Sequence, residues 1–226
     1  MGAIVQSALS DEELLLRLQR GEAAALDLLV RRYERELFGY LCRYLNDDEM
    51  AADVFQNTFL QVFLKIEQYE VGRAARPWLY AIATHQAIDA LRRLQRRRDR
   101  AGLWDERTGD DESAAYGWDR IVAEQRDGPL DLLERAEQQR LVRQAVASLP
   151  PLLRSVVLLV YFQGLKYHEA AEVLGIPVGT VKSRLHAALK KLLQACSALE
   201  ALQDSVPHST VPVRVPWPRS AAVPSS

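Results

Sequence analysis

Apolar residues recur every three or four positions along most of the chain, and nowhere do they alternate with polar ones as in a half-buried strand. The expected fold class is therefore all-α. Ser10 followed by Glu13 is a capping box ahead of an apolar run, so a first helix should hold Leu14, Leu15 and Leu18 and end near Gly21. From Glu22 onward, Leu26, Leu29, Val30, Tyr33, Leu37, Leu41 and Leu45 mark a long amphipathic helix that stops near Asn46 and Asp47. A third helix, capped at about Asp48 and ending around Ile66, carries Ala52, Phe55, Phe59, Val62, Phe63 and Ile66 on one side. Its other side presents Asp53, Gln56, Asn57 and Gln61. Glu67 to Arg76 contains Gly72 and precedes Pro77, so it reads as a loop. A fourth helix holds Trp78, Leu79, Ile82, Ala83, Ile88 and Leu91 and runs out into Arg92, Arg93, Arg96, Arg97, Arg98 and Arg100.

The period is then lost. Glycines, small residues and acids fill 101–130, and Asp105, Glu106, Asp110, Asp111, Glu112, Asp119, Glu124 and Asp127 outweigh the arginines there. That composition predicts a flexible acidic linker, in which Trp104, Tyr116 and Trp118 are unusual. Helical spacing returns with Leu132, Leu133, Ala136, Leu141, Val142, Ala145 and Val146, breaks at Ser148-Leu149-Pro150-Pro151, and resumes from Leu152 to Phe162. The expected organisation is a helical domain at 10–100, the linker, a second helical domain at 131–197 and a disordered proline-rich tail at 207–226. A controlling role for that tail and an inert solvated end both fit its composition.

The stretch from Gly164 to Leu193 predicts two short helices around a tight turn. Ala170, Ala171, Val173 and Leu174 form the apolar side of the first. Gly175 can take the positive φ that ends it, and Pro177 cannot continue it but can open the next. In the second helix, Val181, Leu185, Ala188, Leu189 and Leu192 share one side. Lys182, Ser183, Arg184, His186, Lys190 and Lys191 are left for the open side. A helix-turn-helix with a basic second helix suits the DNA major groove; a helical hairpin with a solvated lysine face has the same pattern.

Overall charge adds little until it is mapped. Lys and Arg total 29 against 30 Asp and Glu in 226 residues, but the cations concentrate in the arginine-rich end of the fourth helix and in the basic helix. Two cationic surfaces joined by an acidic linker suit a protein that touches DNA at two separated places. The arginine cluster alone fits equally a solvated helix end favoured by the macrodipole. Cys42 and Cys196 lie outside any CxxC, which suggests neither a disulfide framework nor a metal site. No apolar run approaches the roughly 20 residues that span a bilayer, and no secretory leader pattern opens the chain, so a cytoplasmic protein is expected.

Leu45 to Phe63, LNDDEMAADVFQNTFLQVF, resembles the second-region helix of bacterial sigma factors of the sigma-70 family. Arg76 to Arg93, RPWLYAIATHQAIDALRR, is similar to the helix that follows it, and Ser148 to Leu192 resembles the fourth region. With no third domain between, the arrangement looks like the extracytoplasmic-function (ECF) type. The resemblance implies a non-enzymatic, cofactor-free specificity subunit that binds core RNA polymerase and promoter DNA, takes no small-molecule substrate, and is in many relatives restrained by an anti-sigma factor. It places Asp53, Gln56 and Asn57 on the polymerase-docking surface, although the family usually has glutamate where Asn57 stands. It assigns reading of the single-stranded minus-ten element to the fourth helix and the loop before it. A flipped base would enter a pocket formed partly by Gln68 to Ala74, at an unstacking cost of a few kcal/mol.

Tyr69 is a candidate wall of that pocket, and a plain core tyrosine fits the same pattern. Thr84 and His85 stand where relatives commonly carry arginine and asparagine; His85 could donate to a base or phosphate, or simply sit half-buried. Arg92 and Arg93 would hold the backbone beside the melted region. In the second domain Lys182, Ser183 and His186 would face base edges or phosphates of the minus-thirty-five element, with Thr180, Arg184 and Lys190 on the backbone. His168 and Ala170 depart from the usual glutamate and isoleucine. A stand-alone helix-turn-helix regulator, and a DNA-processing enzyme with such a motif appended, are the competing readings. The enzyme would need a nucleophile or a carboxylate cluster, and the acids here lie in the linker or at helix starts.

Overall fold

Helix starts and stops are set by local chemistry at most junctions. In the computed structural model, which describes residues 9–101 and 140–203, α1 spans Asp11–Gln19 with Ser10 as its N-cap, the hydroxyl accepting from the Glu13 backbone N–H at 3.1 Å. Only half of the expected capping box forms, because the Glu13 carboxylate accepts from Arg17 instead (3.2 Å). Helix α2, Ala24–Leu45, ends at Asn46 in the left-handed region (φ 56°), a conformation that asparagine tolerates better than most residues. Asp47, rather than Asp48, caps α3 (Asp48–Leu64) by accepting from the Met50 N–H at 2.8 Å. The chain then makes a 3-10 turn, Ile66–Gln68, where the sequence predicts the third helix to give way to a loop.

Helix α4, Ala75–Ala101, begins before Pro77, which sits in the first turn where its missing N–H leaves no bond unmade. The free Ala75 N–H donates to Glu12 of α1 at 3.0 Å, so a side chain 63 residues upstream caps this helix. The first four helices share one core, with Leu14, Leu15, Leu29, Leu37, Leu41, Val62 and Leu79 fully shielded. One expected core residue is not in it. Phe63 is 50% exposed, and the buried side of α3 consists of Ala51, Val54, Thr58, Phe59 and Val62.

After the undescribed stretch, which contains the acidic segment with its three aromatics and Leu132, Leu133 and Ala136, helix α5 occupies 140–147. Helix α6 (Pro151–Val157) opens on Pro151 and widens into a π turn, Leu158–Phe162. Helices α7 (Tyr167–Leu174) and α8 (Val178–Gln203) follow. Gly175 adopts φ 62°, and the Ile176 N–H bonds back to Ala171 O at 3.0 Å, the glycine stop the sequence predicts. Val181, Leu185, Ala188 and Leu192 of α8 are buried as expected. Among the described residues there is no strand.

The two halves touch. Helix α7 packs against α4, and α6 with its π turn meets α2. Arg154 of α6 donates to Tyr44 O at the end of α2 (2.9 Å) and to Leu149 O (3.1 Å), and it also bonds Ala147 O.

Candidate nucleic-acid interface

The turn between α7 and α8 fixes the direction of α8. Pro177 O accepts from the Thr180 and Val181 N–H groups (2.9 and 3.2 Å), which starts α8 one turn after α7 stops. With one side of α8 committed to the core, Lys182, Ser183, His186 and Lys190 are exposed, and Thr180 and Arg184 are half-buried at the edge of that face. The Lys182 ammonium lies 5.9 Å from the Tyr167 ring centroid, a cation–π contact that leans it toward α7. Ser183 donates to Thr180 O at 3.1 Å. Among the described side chains, this face of α8 carries the exposed donors Lys182, Ser183, His186 and Lys190 and no exposed acid, a composition that suits phosphates and base edges.

A second cationic surface runs along α4. His85, Arg92 and Arg93 are exposed, and exposed arginines continue through Arg96, Arg97, Arg98 and Arg100. Two residues expected on this surface are shielded. Thr84 is fully buried, its hydroxyl paired with that of Tyr40 at 2.8 Å. Tyr69 is 2% exposed, edge-on to Trp78 at 5.2 Å with its hydroxyl donating to Arg73 O. In this arrangement Tyr69 has the surroundings of a core tyrosine rather than a pocket wall. Neither side chain is open to a base, whereas His85, one position after Thr84, is.

The third surface is the outer side of α3. Asp53, Gln56 and Asn57 are all exposed on adjacent turns, and Asn57 donates to Asp53 O at 2.9 Å. Beside them stand Leu60, Phe63 and Leu64, 53%, 50% and 62% exposed, so the helix offers an apolar patch bordered by a short polar stretch. That mixture is typical of protein-docking surfaces.

Residues 29–97 match the family described as Sigma-70 region 2, and residues 139–192 match Sigma-70, region 4. The RNA polymerase sigma-H factor of Pseudomonas aeruginosa is 32% identical over 189 residues, covering 84% of this chain and 95% of that protein. The chain belongs to the sigma-70 family. An ECF RNA polymerase sigma-E factor of Haemophilus influenzae is 33% identical over 178 residues (78% of this chain, 90% of that protein), and the ECF factor SigW of Bacillus subtilis 31% over 183 residues (79% and 94%). The fold is also that of solved relatives. The sigma factor RpoE of Bartonella quintana, in complex with the anti-sigma factor NepR, superimposes with TM-score 0.57 at 21% identity, covering 76% of this chain and 96% of that one. CnrH in complex with the cytosolic domain of CnrY gives 0.55 at 23%, covering 86% and 97%. The protein is an alternative sigma factor that directs promoter-specific transcription, and the stand-alone regulator is not favoured.

In sigma-factor terms, α3 and α4 lie in region 2, and α7 with α8 forms the region 4 helix-turn-helix. Sequence reasoning missed Leu60, Phe63 and Leu64 as surface residues because an exposed apolar patch has the same helical period as a core stripe. It also missed the polar cluster between the two halves. Glu36 Oε1 accepts from the Tyr80 hydroxyl (2.7 Å) and from Arg76 (Nε, 3.1 Å). With its amide oriented to satisfy both ends, Gln163 donates to Tyr80 Oη (2.8 Å) and Glu36 Oε1 (3.2 Å) and accepts from Arg43 (3.2 Å). Burial pulls the Arg43 guanidinium down to about 10, and burial together with the Glu36 carboxylate holds the Tyr80 phenol well above its ordinary value. Among the described residues no His, Cys, Asp or Glu group has a metal-binding arrangement, and no helix is long and apolar enough to cross a membrane.

Proposed function

We propose that this sigma factor divides its contacts among three surfaces: α3 docks on core RNA polymerase through Asp53, Gln56, Asn57 and the adjoining Leu60 and Leu64; α4 with the preceding loop holds the opened minus-ten strand; and α8 reads the minus-thirty-five duplex. The domain roles follow, with 10–100 serving docking and melting, 101–130 linking, and 131–197 anchoring upstream. The observation that carries this reading is the exposure of Lys182, Ser183, His186 and Lys190 on a helix whose opposite side is buried, on the same chain as the exposed polar and apolar face of α3. The protein has no chemistry of its own in this reading. Binding free energy on the separated strand drives opening, and the protein works in the cytoplasm, where polymerase and promoter are. An anti-sigma factor, the partner in the Bartonella quintana complex, is the further protein that such surfaces would accommodate.

Run-off transcription with purified core polymerase tests the division. Asp53→Arg should weaken core binding at least tenfold, about 1.4 kcal/mol, and abolish specific transcripts. Lys182→Ala should leave core binding intact, lower promoter occupancy and reduce the salt slope by about 1. Loss of core association in the Lys182 variant would show that α8 serves docking as well.

A further inference from the structure

Helix α1 lies ahead of the residues that match region 2 and takes no part in the contacts assigned above, yet it holds both ends of the loop between α3 and α4. At the near end the Gln19 side-chain amide donates to Ile66 O and to Tyr69 O, each at 3.3 Å. Both partners are carbonyls, so the amide nitrogen has to face them. Ile66 O also accepts from the Tyr69 N–H at 3.0 Å, which makes Gln19 a second lock on the 3-10 turn. At the far end Glu12 accepts from the Ala75 N–H at 3.0 Å. Glu12 and Gln19 stand two turns apart and therefore share one face of α1. Between the anchors, Gly72 at φ 89° turns the chain and the Arg73 N–H bonds Glu70 O at 3.1 Å. Tyr69 is tucked against Trp78, while Gln68, Glu70 and Val71 point outward, Val71 being 78% exposed.

We propose that α1 is the positioning element of minus-ten recognition, with Gln19 and Glu12 holding the ends of the 66–75 loop so that its exposed side chains meet the flipped base in one fixed shape. The inference rests on the assignment of that base to the loop. Without its anchors the loop would be ordered only part of the time, and the cognate base, which needs the ordered shape, would bind more weakly by that fraction. A mismatched base makes no use of the shape and loses nothing. The anchors therefore act on discrimination between bases rather than on overall affinity.

The test uses holoenzyme reconstituted with core polymerase. A promoter active in run-off transcription supplies fluorescent single-stranded minus-ten oligonucleotides in which each position in turn carries all four bases. The readout is the affinity ratio between the best and worst base at the position that the native holoenzyme discriminates most. Gln19→Met keeps the length of the side chain and removes its donors. It should lower that ratio by about fivefold, as for the loss of one net hydrogen bond, with affinity for the worst base, for core and for minus-thirty-five duplex unchanged. Gln19→Lys restores a donor toward the carbonyls and should keep most of the ratio, in which the added charge cancels. Glu12→Met should lower the ratio too, whereas Glu12→Gln, whose amide oxygen still accepts from Ala75, should not. An undiminished ratio in the Gln19→Met chain, or a Gln19→Lys chain as poor as it, overturns the proposal. Should Gln19→Met lose core binding as well, the two Glu12 chains decide: equal ratios in them overturn it. Failure of the underlying assignment shows separately, because a chain with Gln68→Ala, Glu70→Ala and Val71→Ala would then discriminate as the native one does.

Discussion

Cys42 is 1% exposed, and burial together with its bond to Asp48 pushes the thiol from 9.0 up to about 12. Between those values the folded chain keeps a proton that the unfolded chain releases, so stability fully present below about pH 9 is lost as pH rises toward 12. Tyr33, Tyr40 and Tyr80, raised above 10.0 first by burial, act in the same direction from pH 10 upward. Below pH 10 the thiol stands alone among these groups. The urea midpoint should therefore hold level through about pH 8 and begin to fall near 9, and Cys42→Ala should delay the fall to about pH 10. Superimposable profiles for the two chains would assign the loss to another group. None of this could be read from the sequence, which shows a cysteine on an apolar stripe but not Asp48 beside it. The burial of Thr84 has no local signature either, because its partner, Tyr40, lies 44 positions away. Exposed residues fixed by helical period alone, such as Asp53, Gln56, Lys182 and His186, came out where the spacing puts them.

Element boundaries were legible where the signal is local. Ser10, Asn46 and the Gly175–Pro177 turn each act within four residues, and all three lie at the helix ends that the sequence predicts. The start of α4 depends on Glu12, and the π turn after α6 on packing, so neither has a local signature. The arginine-rich end of α4 poses a question of element scale, because a cationic helix C-terminus satisfies the macrodipole whether or not it meets DNA. Arg92 and Arg93 are exposed, and Arg92 is only loosely paired with Asp89 at 3.4 Å, so both guanidinium groups can be given to phosphates. If each holds one phosphate of the separated strand, removing both should lower the slope of log affinity against log salt by about 1.4, at roughly 0.7 per contact. Filter binding of the Arg92→Ala, Arg93→Ala holoenzyme to promoter DNA over a salt series measures it. An unchanged slope would make them solvated cations.

At the scale of the whole molecule, a flexible acidic linker predicts two independent halves, and the described residues instead share a seam. The sequence could not announce it, because Gln163, Glu172, Arg73 and Glu36 have the polarity of ordinary surface positions. Arg154 ties the halves most directly, with one guanidinium serving Tyr44 O of the first half and Ala147 O and Leu149 O of the second. Burial lowers its pKa, so the charge is held at a cost that hydrogen bonds to these carbonyls help to offset. Arg154→Ala should therefore destabilise the second half by about 1.5–3 kcal/mol, the usual range for a hydrogen bond to a charged group, and free the end of α2 from it. Arg154→Lys should rescue little, since an ammonium cannot span three carbonyls with the guanidinium's planar fork. Calorimetry of the full chain separates the two effects. The native protein should melt in one transition whose calorimetric and van't Hoff enthalpies agree, and the alanine variant in two, with the region 4 half first. Two transitions already present in the native chain would mean that the seam joins the halves without coupling their stability.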